Sequence, residues 1–191
     1  MLLCILTMNR MVIYGIRHGE AWHNVLFNTL GLAAYTAFED STLTVRGMGQ
    51  AVRGRGQVVP DIVYVSPLTR TLQTATLMFP ETPIIAVEWL KEYPQHTQII
   101  NRRSDKSKLK LLFPTVDFSQ ILSEKDLLFN SDTPKLTLQT QHICARQILK
   151  ESAHSTVVLV THSSWLKYFI YGDIGDENNE LKHCTLYPLH K

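Results

Sequence analysis

Three short apolar runs in this chain each stop at residues able to do chemistry. Val12–Ile16 ends in Arg17-His18-Gly19-Glu20, Ile62–Val65 ends in Ser66-Pro67, and Thr156–Val160 ends in Thr161-His162-Ser163. Arginine is always charged and presents a planar fork of donors that matches a phosphate. An imidazole serves as nucleophile or proton carrier near neutral pH. A glycine lets the chain turn tightly and lets an anion come close to the backbone. An arginine, a histidine and a glycine at the end of one apolar strand therefore form a candidate site for a phosphorylated ligand.

Such residues meet only if the strands that carry them are parallel, since parallel strands deliver their carboxyl ends to one edge of a sheet. Strands and helices do alternate. After the first strand, 21–40 reads as irregular. Ser41-Thr42-Leu43-Thr44 offers cap hydroxyls to a helix carrying Val45, Met48, Ala51 and Val52. The second strand, Ile62–Val65, leads through Pro67 into a helix over Thr69–Phe79, which Pro80 ends. Pro83–Val87 is a third strand, followed by Glu88-Trp89-Leu90-Lys91-Glu92. The stretch 93–133 is poorly patterned and is expected to form a lid or insertion over the site. Thr133-Pro134 restarts a helix whose stripe is Leu138, His142, Ala145 and Leu149. Thr156–Val160 is apolar throughout, as a strand covered on both faces must be. A helix with Trp165, Leu166, Phe169 and Ile170 follows and closes at Gly172, and 185–187 reads as an edge strand. This order predicts an α/β fold of three layers, α/β/α, with a mainly parallel central sheet.

The 191 residues, 45% of them hydrophobic, suit a single domain over 1–191. A net charge of +2 excludes a strongly basic nucleic-acid binder. The apolar start, 1–10, is too short to span a membrane and lacks the basic n-region and A-x-A site of a secretory signal. Cys4, Cys144 and Cys184 have no ligand spacing and read as reduced thiols, so a cytoplasmic protein is expected. No H-E-x-x-H, calcium loop or paired-cysteine motif is present, so no metal and no cofactor is expected. Arg102, Arg103, Lys106, Lys108 and Lys110 form the densest basic cluster, opposed by Asp105. It is either a solvated face or a clamp for a second anionic group, and it lacks the interleaved aromatics that stack nucleic-acid bases.

Four segments together resemble one family. Arg17-His18-Gly19-Glu20 with Asn24 matches its signature. Leu43–Ala51 matches L-T-x-x-G-x-x-Q-A, Ser66–Ala75 matches S-P-x-x-R-x-x-Q-T-A, and Val160-Thr161-His162 matches V-T-H. These are motifs of the histidine phosphatase superfamily, also called phosphoglycerate mutase-like. The resemblance implies that His18 attacks phosphorus, that Arg17, Arg70 and His162 hold the phosphoryl group as cationic donors, and that Asn24 adds a neutral one. Gly19 and Ser163 would line the phosphate site. Charge on a phosphoryl group in flight is spread over its oxygens, so positioned donors supply most of the catalysis. The second nitrogen of His18 then needs an acceptor, such as a backbone carbonyl, to fix the tautomer. Glu92 matches the family's L-x-E acid, with Glu20 and Glu88 as alternatives. Arg102 and Arg103 would bind a remote anionic part of the substrate.

The expected function is hydrolysis of phosphomonoesters, without metal, through a phosphohistidine on His18. The substrate class is a small phosphorylated metabolite or a phosphopeptide, with neither nucleic acid nor membrane as partner. A phosphoglycerate mutase is the alternative. Tyr93–Gln98 departs from the G-x-x-E-G that follows the acid in such mutases, and Ser163-Ser164 replaces the commoner glycines. A catalytically silent phospho-ligand-binding module on the same fold is the alternative from another class.

Overall fold

In the computed structural model, residues 11–95, 97–129, 136–175 and 180–189 are described. Six strands form one sheet: β1 (Val12–Arg17), β2 (Ile62–Val65), β3 (Ile84–Ala86), β4 (Val116–Asp117), β5 (Thr156–Thr161) and β6 (Leu186–Leu189), in the order β4-β3-β2-β5-β1-β6. All neighbours are parallel except β6, which runs antiparallel to β1 at the edge. The register sets Arg17 beside Thr161 and Val65 beside Val160, so the ends of β1, β5 and β2 arrive level with one another.

Successive strand residues face opposite sides. Along β5, Val158 and Val160 join one core and Val157 and Leu159 the other. The first core takes Ala51 of α3 (Val45–Arg53), Leu72, Ala75 and Met78 of α4 (Thr69–Met78), and Leu109 of α5 (Lys106–Leu112). The second takes Leu138, Ala145 and Leu149 of α6 (Leu138–Glu151) and Trp165 and Leu166 of α7 (Ser163–Tyr171). The result is the three-layer α/β/α arrangement. Gly172 closes α7 in the left-handed conformation, φ 77°, where a side chain would be strained.

Three expectations change. The stretch 21–40 is largely helical: α1 (Trp22–Leu30), a short 3-10 turn, and α2 (Ala34–Ala37). α1 buries only His23 and leaves Trp22, Val25 and Leu30 exposed, so no apolar stripe announces it. Its first turn is held by Asn24, whose Oδ1 accepts from the Ala21 amide at 2.9 Å, instead of by a hydroxyl before the helix. The expected helix start at Thr133-Pro134 lies outside the described residues; α6 begins at Leu138, with Thr137 Oγ1 accepting from the Thr140 amide. Part of the stretch expected as a lid belongs to the core. α5 and β4 arise within it, and Leu109, Val116, Phe118 and Ile121 are buried in the first core.

Candidate active site

The nucleophile candidate is fixed from every side. The His18 amide donates to Thr161 O at 3.0 Å, and the Ser66 amide donates to Val160 O at 3.0 Å, lacing the three strand ends together. His18 Nδ1 lies 2.7 Å from Gly19 O. A carbonyl can only accept, so Nδ1 carries the proton and Nε2 carries the lone pair. No described residue bonds Nε2. Burial, then the charges of Arg70 and Arg17 and the neighbouring imidazoles, hold the His18 pKa well below 6.5. Its surroundings therefore favour the neutral, nucleophilic imidazole.

The turn that follows is built on glycine contacts. A Cβ on Gly19 would stand 2.6 Å from Gly47 O, and one on Gly47 would stand 2.0 Å from Glu20 O. The loop thus lies directly against α3. The remaining motif residues hold it there. Thr74 Oγ1 accepts from the Gly19 amide at 3.0 Å, Gln50 Oε1 from the Glu20 amide at 2.8 Å, and Gln73 Oε1 from the Leu43 amide at 2.8 Å. Thr44 caps α3 through the Gly47 amide and donates to Glu20 Oε1 at 2.8 Å.

Arg70 is 1% exposed in the first turn of α4. Nη1 donates to Ile100 O and Nη2 to Asn101 Oδ1, each at 2.8 Å, and Nε–H has no partner. Burial lowers its pKa to about 10, partly opposed by Glu92 and Asp40. It stays cationic at neutral pH, and no described carboxylate pairs with it directly. Arg17 Nη1 donates to Leu181 O and pairs with Glu180 Oε2, both at 2.7 Å, and its Nε is buried without a partner.

His162 stands edge-on to His18, with ring centroids 5.2 Å apart. Its Nε2 is 2.8 Å from Ser66 Oγ, and its Nδ1 is buried without a partner. Burial and then Arg70 push its pKa well below 6.5, which disfavours the cationic form expected of it.

Glu92 is half-buried, and Oε1 accepts from the Tyr93 amide at 2.9 Å. Burial raises its pKa, with the Tyr93 amide and Arg70 opposing and Glu180 adding to the rise. Its neighbour Lys91 is anchored by Asp126 at 2.5 Å and by Gln141, which donates to Lys91 O at 2.8 Å. The alternatives are occupied: Glu20 holds Thr44 and Arg46, and Glu88 pairs with Arg103 at 2.7 Å.

Asn24 gives its oxygen to α1, while its amide nitrogen has no partner among the described residues. Ser163 Oγ accepts from the Leu181 amide at 3.4 Å, tying down the segment whose carbonyl holds Arg17. The basic cluster divides. Arg102 is exposed, 3.5 Å from Glu39 and over the Phe129 ring. Arg103 has a fully buried side chain that pairs with Glu88 and donates to the carbonyls of Ser104, Ser123, Glu124 and Lys125. It faces the protein interior and is not placed to clamp a substrate.

Two further imidazoles join the group. His23 is buried with its ring 5.8 Å from that of His18, and His183 lies at 5.7 Å. His183 Nδ1 donates to His18 O at 2.7 Å, and burial lowers its pKa to about 4. Nothing in the local pattern around His183 marks it, because β6 brings it back beside β1 from the far end of the chain. Among the described residues no group of histidine, cysteine and carboxylate side chains is arranged to hold a metal ion, and no helix is long and apolar enough to cross a membrane.

Residues 13–100, a little under half of the chain, match the family model described as histidine phosphatase superfamily, branch 1, and they contain β1 from Ile13 onward, the glycine contact, Arg70 and Glu92. The chain is 28% identical over 146 residues to "Probable phosphoglycerate mutase" of Arthroderma benhamiae, covering 61% of this chain and 43% of that protein. It is 26% identical over 199 residues to "Phosphomutase-like protein 3" of Candida albicans, covering 89% of this chain and 62% of that one. The chain thus spans less than two thirds of either relative. Its fold matches the crystal structure of an alpha-ribazole phosphatase from Shigella flexneri, with a TM-score of 0.59 and 20% identity over 92% of this chain and 88% of that one.

Proposed function

We propose that this chain is a histidine phosphatase superfamily member that hydrolyses phosphomonoesters through a phosphohistidine on His18. The observation that carries the reading is the tautomer of His18: Nδ1 is committed to Gly19 O, and Nε2 is left free beside an unneutralised Arg70. His18 Nε2 attacks phosphorus, and the P–N bond forms as the ester P–O bond breaks. Glu92, whose pKa burial raises, gives its proton to the leaving alcohol. Water then attacks the phosphorus, returns a proton to Glu92 and frees inorganic phosphate as the P–N bond breaks. Arg17, Arg70, His162 and the Asn24 amide hold the equatorial oxygens.

Hydrolysis is favoured over a mutase reaction by the place of Arg103. A mutase must keep hold of a second anionic group while the phosphoryl group moves, and Arg103 is committed to Glu88 and four carbonyls. The substrate class is a small phosphorylated metabolite or a phosphopeptide. A panel of both, with 3-phosphoglycerate included, tests the reading. Inorganic phosphate should appear one for one with the freed alcohol. Isomerisation of phosphoglycerate without phosphate release would refute hydrolysis in favour of the mutase.

A further inference from the structure

Buried guanidinium groups ordinarily lie against a carboxylate, because an unpaired charge is costly to desolvate. Arg70 departs from that pattern. Both of its protein acceptors are neutral: Ile100 O and Asn101 Oδ1. The two carboxylates whose charge reaches it are engaged elsewhere. Asp40 takes the Thr69 amide, the Thr69 hydroxyl and the Ser104 amide, and Glu92 takes the Tyr93 amide.

Asn101 is itself fully buried, and its amide can point only one way. Nδ2 donates to Pro94 O at 2.9 Å and approaches Gln98 Oε1 at 3.3 Å, which turns Oδ1 toward Arg70. One side chain therefore ties Pro94 and Gln98 to Arg70 and orients the guanidinium. Pro94 lies two residues after Glu92. Nε–H and one N–H on each terminal nitrogen of Arg70 remain uncommitted.

We infer that Asn101 is the positioning residue for Arg70, holding the guanidinium with a neutral oxygen so that its charge stays available to an incoming oxyanion. This rests on the reading of Arg70 as a phosphoryl-binding group. An aspartate in the same place would keep the hydrogen bond and the shape, but it would neutralise the cation and compete with the ligand. Ion-paired hydrogen bonds are the stronger kind, so the loss of oxyanion affinity should be large. The aspartate would also exchange the Nδ2 donor for an oxygen facing Pro94 O and Gln98 Oε1, so stability should fall as well.

The test measures inorganic vanadate binding, thermal unfolding, and kcat and KM for an aryl phosphate. Asn101→Asp should unfold earlier than wild type, bind vanadate about ten- to a hundredfold more weakly than wild type and more weakly than Asn101→Ala, and show a raised KM. Asn101→Ala removes the acceptor without adding charge. It should weaken vanadate binding by about three- to tenfold, less than Asn101→Asp, and lower kcat because the guanidinium is no longer oriented. If Asn101→Asp does not fold, the alanine variant alone decides. Vanadate affinity and KM equal to wild type in the folded variants, with only a lowered unfolding temperature, would overturn the inference and leave Asn101 a structural residue. Wild-type protein that binds no vanadate would overturn both the inference and the phosphatase reading, whereas tight wild-type binding unaffected by either substitution would overturn the inference alone.

Discussion

Gly47→Ala should damage catalysis from a position that touches no substrate. The added Cβ would stand 2.0 Å from Glu20 O and 2.9 Å from both Glu20 C and Glu20 N. An ordinary carbon–oxygen contact is ~3.3 Å, so the two backbones must part by roughly 1.3 Å. Neither side yields easily. Glu20 is held through its amide by Gln50 and through its carbonyl by the Thr44 amide, and Gly47 sits inside α3. The strain falls on Gly19 and His18. A misplacement of ~1 Å at a reacting group costs about a hundredfold in rate. Overpacking costs ~1–3 kcal/mol, and each kcal/mol lowers Tm by ~2–4 °C in a domain of this size. Gly15→Ala is the comparison. Its Cβ would meet Leu166 Cδ2 at 2.3 Å, the far end of a flexible side chain, so stability should fall while kcat holds. Steady-state hydrolysis of an aryl phosphate and a thermal melt measure both effects. A folded Gly47→Ala that turns over at the wild-type rate would refute the claim that this glycine contact sets the nucleophile.

Two further outcomes follow from burial and charge. Glu92 must be protonated to act as an acid, and burial raises its pKa, so kcat for alkyl phosphates should fall as pH rises through that raised value, while the lowered pKa of His18 shifts the loss of the nucleophile to lower pH than for an ordinary imidazole. Glu92→Gln should remove the alkaline limb and slow alkyl phosphates by ~10²–10⁴-fold while sparing activated aryl phosphates, and an equal loss on both would deny it the role. Arg103→Ala leaves Glu88 and several buried carbonyls without a partner and should cost ~3–5 kcal/mol in urea unfolding, whereas exposed Arg102→Ala should stay within ~0.5 kcal/mol. Equal costs would contradict the inward placement of Arg103.

Local pattern made much of this fold legible. β5 is apolar from Val157 to Val160 because both faces are covered, and Ser66-Pro67 marks the passage from β2 to α4. Motif spacing singled out Arg17, His18, Arg70 and His162, and the structure brings His18 and His162 ring to ring. What stayed hidden depends on distant partners or on absent periodicity. α1 has no stripe because it buries one residue. Neighbouring arginines at 102 and 103 have identical chemistry, and an irregular backbone gives no period to say which one turns inward. Asp40 caps α4 from 29 residues away, and His183 reaches His18 across 165. The downward push on the His162 pKa comes from burial beside Arg70, which no motif encodes.

The central claim is that His18 Nε2 carries the phosphoryl group. The direct measurement mixes the protein with a phosphomonoester, quenches within one turnover and maps the modified peptide by mass spectrometry. The account predicts an acid-labile, base-stable phosphoryl adduct on His18, absent from His18→Ala, which should also lose turnover. An adduct on Ser66 or on a cysteine, or a His18→Ala protein that still turns over, would contradict it.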